Sequence, residues 1–179
     1  MRLVTLALAL SLTSGAFAQS SPMAAGSDHE KPPVPPSRSL NVTFQDHTIT
    51  LKIEDLLALP QVTVHVHNAH RDADETYTGP QLSDVLAKAG LVAGKETEPL
   101  ILHSSVIATG TDHYFVLYSA AEVEPMFSRG QVIVAVMKSG LPDTEGGYIQ
   151  LINTDGARPA RWVHGLADIN VMSISPTLH

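Results

Sequence analysis

The chain has 179 residues, 44% hydrophobic and 16% charged, a balance that suits one packed domain and excludes the charge-rich disordered class. Its formal net charge is −7 and it has no cysteine. Disulfides and thiolate metal sites are therefore excluded, and the scattered Lys and Arg argue against nucleic acid or anionic membrane as partners.

The first residues, MRLVTLALALSLTSGAFAQSS, run from Arg2 through the apolar stretch Leu3 to Leu12 and end in Ala16-Phe17-Ala18, small residues of the type a signal peptidase reads. A signal peptide over 1–18 is expected. An apolar run of roughly ten to fifteen residues falls short of the ~20 that span a bilayer, so the expected product is periplasmic or secreted and free of the membrane. From 19 to 39 the chain is rich in Ser, Ala and Pro, with Pro32-Pro33 and Pro35-Pro36, and reads as a disordered linker. The globular domain is expected over 40–179.

Leu40, Val42 and Phe44 alternate with polar neighbours, as do Ile49, Leu51 and Ile53 beyond a turn at Gln45-Asp46-His47, which predicts a hairpin. IEDLLALP predicts a short helix stopped by Pro60, and QVTVHVHN a strand by its β-branched content and period of two. ETYTGPQLSDVLAKAGL predicts a short strand, a turn at Gly79, Pro80 in a first helical turn, and Leu82, Val85, Leu86 and Ala89 on one face until Gly90. PLILHSSVIAT, DHYFVLYS, QVIVAVMKSG, GGYIQLIN and ADINVMSIS read as strands, and SAAEVEP as one helical turn. The predicted class is α+β, a mixed, mostly β-sheet domain with short helices.

Chemistry concentrates in Val64 to His70, VHVHNAH, where three histidines fall within six residues. The alternation sends Val62, Val64 and Val66 to the core and Thr63, His65 and His67 to the other face. Side chains two residues apart start about 7 Å apart, and two imidazoles at that spacing can converge on one ion at about 2.0–2.1 Å each. His70 can swing in as a third ligand, with Asp72, Asp74 or Glu75 as an oxygen donor. The bland reading is a wet strand face that uses histidine. His47, His103, His113, His164 and His179 read as surface or cap residues, and the carboxylates at Asp72, Asp74, Glu75, Glu122 and Glu124 as solvated turns rather than acid/base pairs. No GxSxG, GxxxxGK, GxGxxG or HExxH motif is present.

Several pieces in order resemble the oxidoreductase molybdopterin-binding domain, the fold of sulfite oxidases. They are Glu54-Asp55-Leu56-Leu57-Ala58-Leu59-Pro60, Val62-Thr63-Val64, Tyr77-Thr78-Gly79-Pro80-Gln81-Leu82-Ser83-Asp84-Val85-Leu86 with Ala89-Gly90, Asp112-His113-Tyr114, Gly146-Gly147 and Ala160-Arg161-Trp162-Val163. The resemblance covers about Leu40 to Ile174 and implies a sulfite-oxidase-like fold. In enzymes of that family a Cys-x-x-Asn motif supplies the thiolate that binds molybdenum. Aligned on Asn68, the cysteine position falls on His65, and an imidazole does not replace a thiolate in charge, softness or electron donation. Family enzymes that carry the cofactor to the periplasm are exported folded behind a twin arginine, whereas this chain has a lone Arg2.

The expectation is an exported, short relative without molybdenum, whose former cofactor cleft, formed by His65, His67 and Asn68 with Arg161 and Trp162 lining or supporting it, binds a small ligand or a metal ion. His65, His67 and His70 are the candidate metal ligands, Zn²⁺ or Cu²⁺ the candidate ions, and molybdopterin the less favoured cofactor. Two alternatives stand beside it. One is a molybdopterin-dependent oxidoreductase with atypical ligation; the other is a non-catalytic module for a periplasmic protein partner.

Overall fold

The computed structural model describes residues 35–156 and 159–174. The signal peptide expected at 1–18, most of the linker expected at 19–39, and His179 lie outside them. The linker's last residues are seated on the domain. Ser37 is buried and donates its N–H to Gly147 O at 2.9 Å, and Thr111 Oγ1 donates to Pro35 O at 2.6 Å.

The expected hairpin forms from β1 (Ser39–Phe44) and β2 (His47–Lys52), with Leu40, Val42 and Phe44 buried on one side of β1. Three later strands, β5 (Ser104–Gly110), β6 (Phe115–Ser119) and β11 (Leu166–Ser173), complete a five-stranded sheet in the order β2-β1-β11-β5-β6. β1 runs parallel to β11, and every other pairing in this sheet is antiparallel.

Helices cover one face of this sheet. α2 (Leu82–Lys88) buries Leu82, Val85 and Leu86 and ends at Gly90, whose φ of +102° is the left-handed conformation that glycine adopts without a Cβ penalty. α1 (Ile53–Leu57) buries Leu56, and α4 (Ala120–Val123) carries a capping box between Ser119 and Glu122.

The run VIVAV is apolar throughout because β7 (Val132–Ala135) is buried on both faces, as is its antiparallel partner β10 (Gln150–Asn153). Val132 and Val134 face the larger core with Leu40, Leu82 and Leu166. Ile133 and Ala135 face a smaller core with Val64, Tyr77, Ile152 and Trp162. The β7–β10 ribbon thus separates two cores, and the candidate site lies over the smaller one.

The remaining sheet, ordered β3-β4-β8-β9, contains β3 (Val62–Asn68), β4 (Ala73–Gly79), β8 (Met137–Lys138) and β9 (Leu141–Pro142). Gly79 is the last residue of β4 rather than a turn. A Cβ there would strike the backbone of Val134 and come within 2.7 Å of Ala135 Cα, so glycine is required by close approach. Three other expectations change. Pro80 lies ahead of α2 instead of within its first turn, since Gln81 is the cap. PLIL is helical, α3 (Glu98–Leu102), with proline tolerated in the first turn where its missing N–H is not needed. QVIVAVMK is split between β7 and β8, which serve different sheets.

Candidate functional site: a polar cleft over the smaller core

The β3–β4 pairing sorts the expected site residues onto two faces. On the outer face the cross-strand partners are Thr63 with Thr78, His65 with Thr76, and His67 with Asp74. Each pair is hydrogen-bonded: Thr63 Oγ1 to Thr78 Oγ1 at 2.9 Å, His65 Nδ1 to Thr76 Oγ1 at 3.0 Å, and His67 Nδ1 to Asp74 Oδ1 at 2.9 Å. His67 Nε2 also lies 3.6 Å from the exposed Asp72 carboxylate. These are rungs of a solvated ladder in which each imidazole has its own neighbour across the strand.

Asn68 has the parity of the valines and points to the inner face. The single floor expected of His65, His67 and Asn68 is therefore divided. His65 and His67 line a recess of about 290 Å³ with Asn153, Thr154 and Gly156, while Asn68 and His70 line a separate cleft of about 140 Å³. Trp162 borders both. Among the described residues no group of three or more His, Asp or Glu is arranged to hold a metal ion. Arg161 borders neither space. Its guanidinium stacks 4.1 Å from the Tyr118 ring centroid and pairs with Glu122 at 3.1 Å, and its carbonyl accepts the Tyr118 hydroxyl.

One wall of the smaller cleft, Asn68, Tyr77 and Lys138, is held from behind by Glu75, which is 7% exposed. Opposite Val66 in the hairpin register, it shares the inner face with Tyr77. One carboxylate oxygen accepts Asn68 Nδ2 at 2.8 Å and the Tyr77 hydroxyl at 2.9 Å, and the other meets Lys138 Nζ at 2.7 Å. Burial pushes the Glu75 carboxyl up, but the bonds from Lys138, Asn68 and Tyr77 outweigh it and leave it below the ordinary range, so it is ionised at neutral pH. Burial and the adjacent carboxylate push the Tyr77 hydroxyl up, which keeps its proton in the bond to Glu75. Arg71 at the rim pairs with Glu145 at 3.1 Å and approaches Glu75 at 3.8 Å.

The opposite wall is the segment Asp143 to Gln150. Asp143 is buried, its Oδ1 accepting the Gly146 N–H at 2.9 Å and its Oδ2 the Gln150 side-chain amide. A Cβ on Gly146 would overlap the Gln150 amide, so the two side chains lie against bare backbone. Gly147 has a φ of +81° and Tyr148 a φ of +66°, a tight reversal pinned where Tyr148 N donates to Asp143 O at 2.7 Å and Gly165 N to Gly146 O at 2.7 Å. Trp162 donates Nε1–H to Asn153 O at 2.9 Å and meets Tyr77 edge-on, centroids 5.8 Å apart. Half-buried His164 completes the lining. Burial lowers its imidazole below the ordinary range, the nearby Asp143 charge opposing this only in part, so the ring is neutral at pH 7.

Of the residues expected from the sequence, the cleft brings together Asn68, His70 and Trp162. It leaves His65 and His67 outside and Arg161 remote. His164, read as surface, lines it, and Glu75, read as part of a solvated turn, is buried behind its wall. Arg71, Lys138, Asp143 and Gln150 carried no motif, and Tyr77 stood only at the head of the Tyr77–Leu86 resemblance, without a site role. The one available signal was parity: Glu75 and Tyr77 alternate with Asp74, Thr76 and Thr78 as Val64 and Val66 do with the histidines.

A molybdenum centre of the implied kind does not fit these residues. It needs a thiolate and the chain has none, and His65, at the corresponding position, is exposed and bonded to Thr76.

No family model and no curated protein matches the chain. Among solved structures, the sulfane dehydrogenase SoxCD from Paracoccus pantotrophus is similar, with a TM-score of 0.57 and 18% sequence identity. The match covers 74% of this chain and 37% of that one, so this chain corresponds to little more than a third of its neighbour's length. The likeness is one of fold, and it bears out the mostly β, sulfite-oxidase-like α+β class read from the sequence.

Proposed function

We propose that this protein is an exported small-ligand-binding protein on a sulfite-oxidase-like fold, without a molybdenum centre, and that the cleft between Lys138 and Gln150 holds its ligand. The observation that carries this reading is the buried, fully bonded Glu75 carboxylate behind the cleft wall, which fixes three of the residues that line the cavity, Asn68, Tyr77 and Lys138. Charged groups are desolvated in this way where a fixed polar surface is needed, and such groups cluster at binding sites. A volume of about 140 Å³ lies below the ~300 Å³ at which drug-sized sites begin, which favours a compact polar molecule or one head group of a larger one. Export is supported by the sequence of 1–18, and the absence of molybdenum by the absence of any thiol. Of the two branches expected from the sequence, the small ligand is favoured over the metal ion, because His65 and His67 are each bonded to their own cross-strand partner.

Trp162 is the chain's single tryptophan and borders the cleft, so its fluorescence reports occupancy. Titration of the mature chain with a panel of small polar amines, amino acids, carboxylates and sugars is expected to give saturable change with at least one class, abolished in Glu75→Gln. No saturable change with any class, or molybdenum with bound pterin in protein purified from its own host, overturns the reading.

A further inference from the structure

Gln150 is 1% exposed and lines the cleft, yet its Oε1 has no hydrogen-bond partner. The orientation of the amide is set by chemistry. Asp143 Oδ2 can only accept, so the NH₂ group must face it and the carbonyl oxygen must face away. A buried acceptor left without a donor costs about 1–3 kcal/mol, and native structures leave few of them. The partner this oxygen lacks is a donor.

The charges around the cavity point the same way. Among the described residues two carboxylates line it, Asp143 and Glu145, and a third, Glu75, lies behind the wall, bonded to the lining residues Asn68, Tyr77 and Lys138; against these three stand two cations, Arg71 and Lys138. Both cations are committed, Lys138 to Glu75 at 2.7 Å and Arg71 to Glu145 at 3.1 Å. Asp143 has no ion-pair partner among the described residues; its bonds come from the neutral Gly146 N–H and the Gln150 amide. Neutral His164 adds no positive charge. Tyr77 and Trp162 supply an aromatic border, and Lys138 Nζ already lies 5.6 Å from the Tyr77 ring centroid, the kind of contact aromatic rings offer to cations.

Taking the cleft as a binding site, as above, we propose that its occupant presents a small organic cation with N–H donors, a primary ammonium or guanidinium group, to Gln150 Oε1 and the Asp143 carboxylate. Donation to Gln150 satisfies the orphaned oxygen, and the positive charge balances the third carboxylate. A head group of this size matches the cavity of about 140 Å³, the volume of some four or five waters at ~30 Å³ each.

The test uses the mature full chain with methylguanidinium and methylammonium chlorides as cationic probes, and sodium acetate and sodium sulfate as anionic ones, at constant ionic strength. Trp162 fluorescence and backbone amide NMR shifts are followed together. The expected result is saturable binding of a cationic probe in the millimolar range, with the largest shifts at Gly146 and Gln150, weakened at least tenfold in both Gln150→Met and Asp143→Asn. Because either variant can fail to fold, contacts between the probe's methyl protons and Trp162 or Gln150 in the wild-type protein provide a readout independent of substitution. Saturation by an anion with no response to the cations overturns the proposal but leaves the cleft a binding site. No response to any of the four probes overturns the proposal, while the wider panel above decides the fate of the binding reading. Cation binding undiminished in both variants, or contacts mapping elsewhere, overturns the assignment to Gln150 and Asp143.

Discussion

Replacing Lys138 by methionine removes one partner of the buried pair with Glu75 while keeping a stem of similar length against Tyr77. Two unit charges 2.7 Å apart attract by about 6 kcal/mol at an effective dielectric constant of ~20, much of it offset by the desolvation of both groups. Removing one member of a buried pair typically costs about 3–5 kcal/mol, because the other charge is left unpaired. Here Asn68 and Tyr77 still bond the carboxylate and the Lys138 side chain is 21% exposed, so the expected loss is about 2–3 kcal/mol at pH 7. For a domain of this size that is roughly 8–12 °C in Tm.

The pH dependence identifies the cause. In the wild type Glu75 titrates below its ordinary 4.5, so its contribution is present above that value and is lost as pH falls through the depressed folded value. In Lys138→Met the strongest opposing bond is gone and burial raises the Glu75 carboxyl. The variant then regains stability as pH falls from 7 to 4, and the gap to wild type narrows. Urea denaturation at pH 7, 5.5 and 4 measures both effects. A loss below about 1 kcal/mol at pH 7, or a gap that stays constant with pH, refutes the reasoning.

Gly79→Ala forces a Cβ against the Val134 and Ala135 backbone, which no rotamer change relieves, so destabilisation of at least about 3 kcal/mol is expected in urea; a variant within about 1 kcal/mol of wild type contradicts the close approach of β4 and β7. His65→Ala and His67→Ala each remove one exposed cross-strand rung and are expected to cost at most about 1 kcal/mol. Both are expected to leave weak Zn²⁺ and Cu²⁺ affinity unchanged by isothermal titration calorimetry, and a tenfold loss in both means that the two imidazoles do share an ion.

Where a pattern was local and periodic, the sequence was legible. The parity of β3, the buried face of α2 with Gly90 at its end, and the single helical turn in SAAEVEP all follow from spacing within a few residues. The cleft was not legible because its members meet only through long-range pairing. Glu75 sits among Asp72 and Asp74 in a stretch that reads as wet, and it is buried because the hairpin register sets it opposite Val66. Its cation comes from 63 residues away, on a short strand hidden inside an apolar run that reads as continuous. PLIL was misread because four apolar residues fit a strand as well as a helix turn, and only Pro99 in the first turn separates them. The histidines drew attention by composition, but composition does not say which neighbour each ring already has.

The place of β11 in the larger sheet governs when that sheet can close. It is the latest of the described strands in the chain, yet it lies in the middle, with β1 on one side and β5 on the other. Until it is delivered, the β1–β2 hairpin and the β5–β6 pair are separate ribbons with no shared edge. The bond from Asn41 to Asp168, which ties the hairpin to β11, spans 127 residues. Pairings of such separation form slowly, because the loop must be closed before any contact repays it. A chain of this topology therefore keeps its two ribbons apart until the latest of the described strands slots between them.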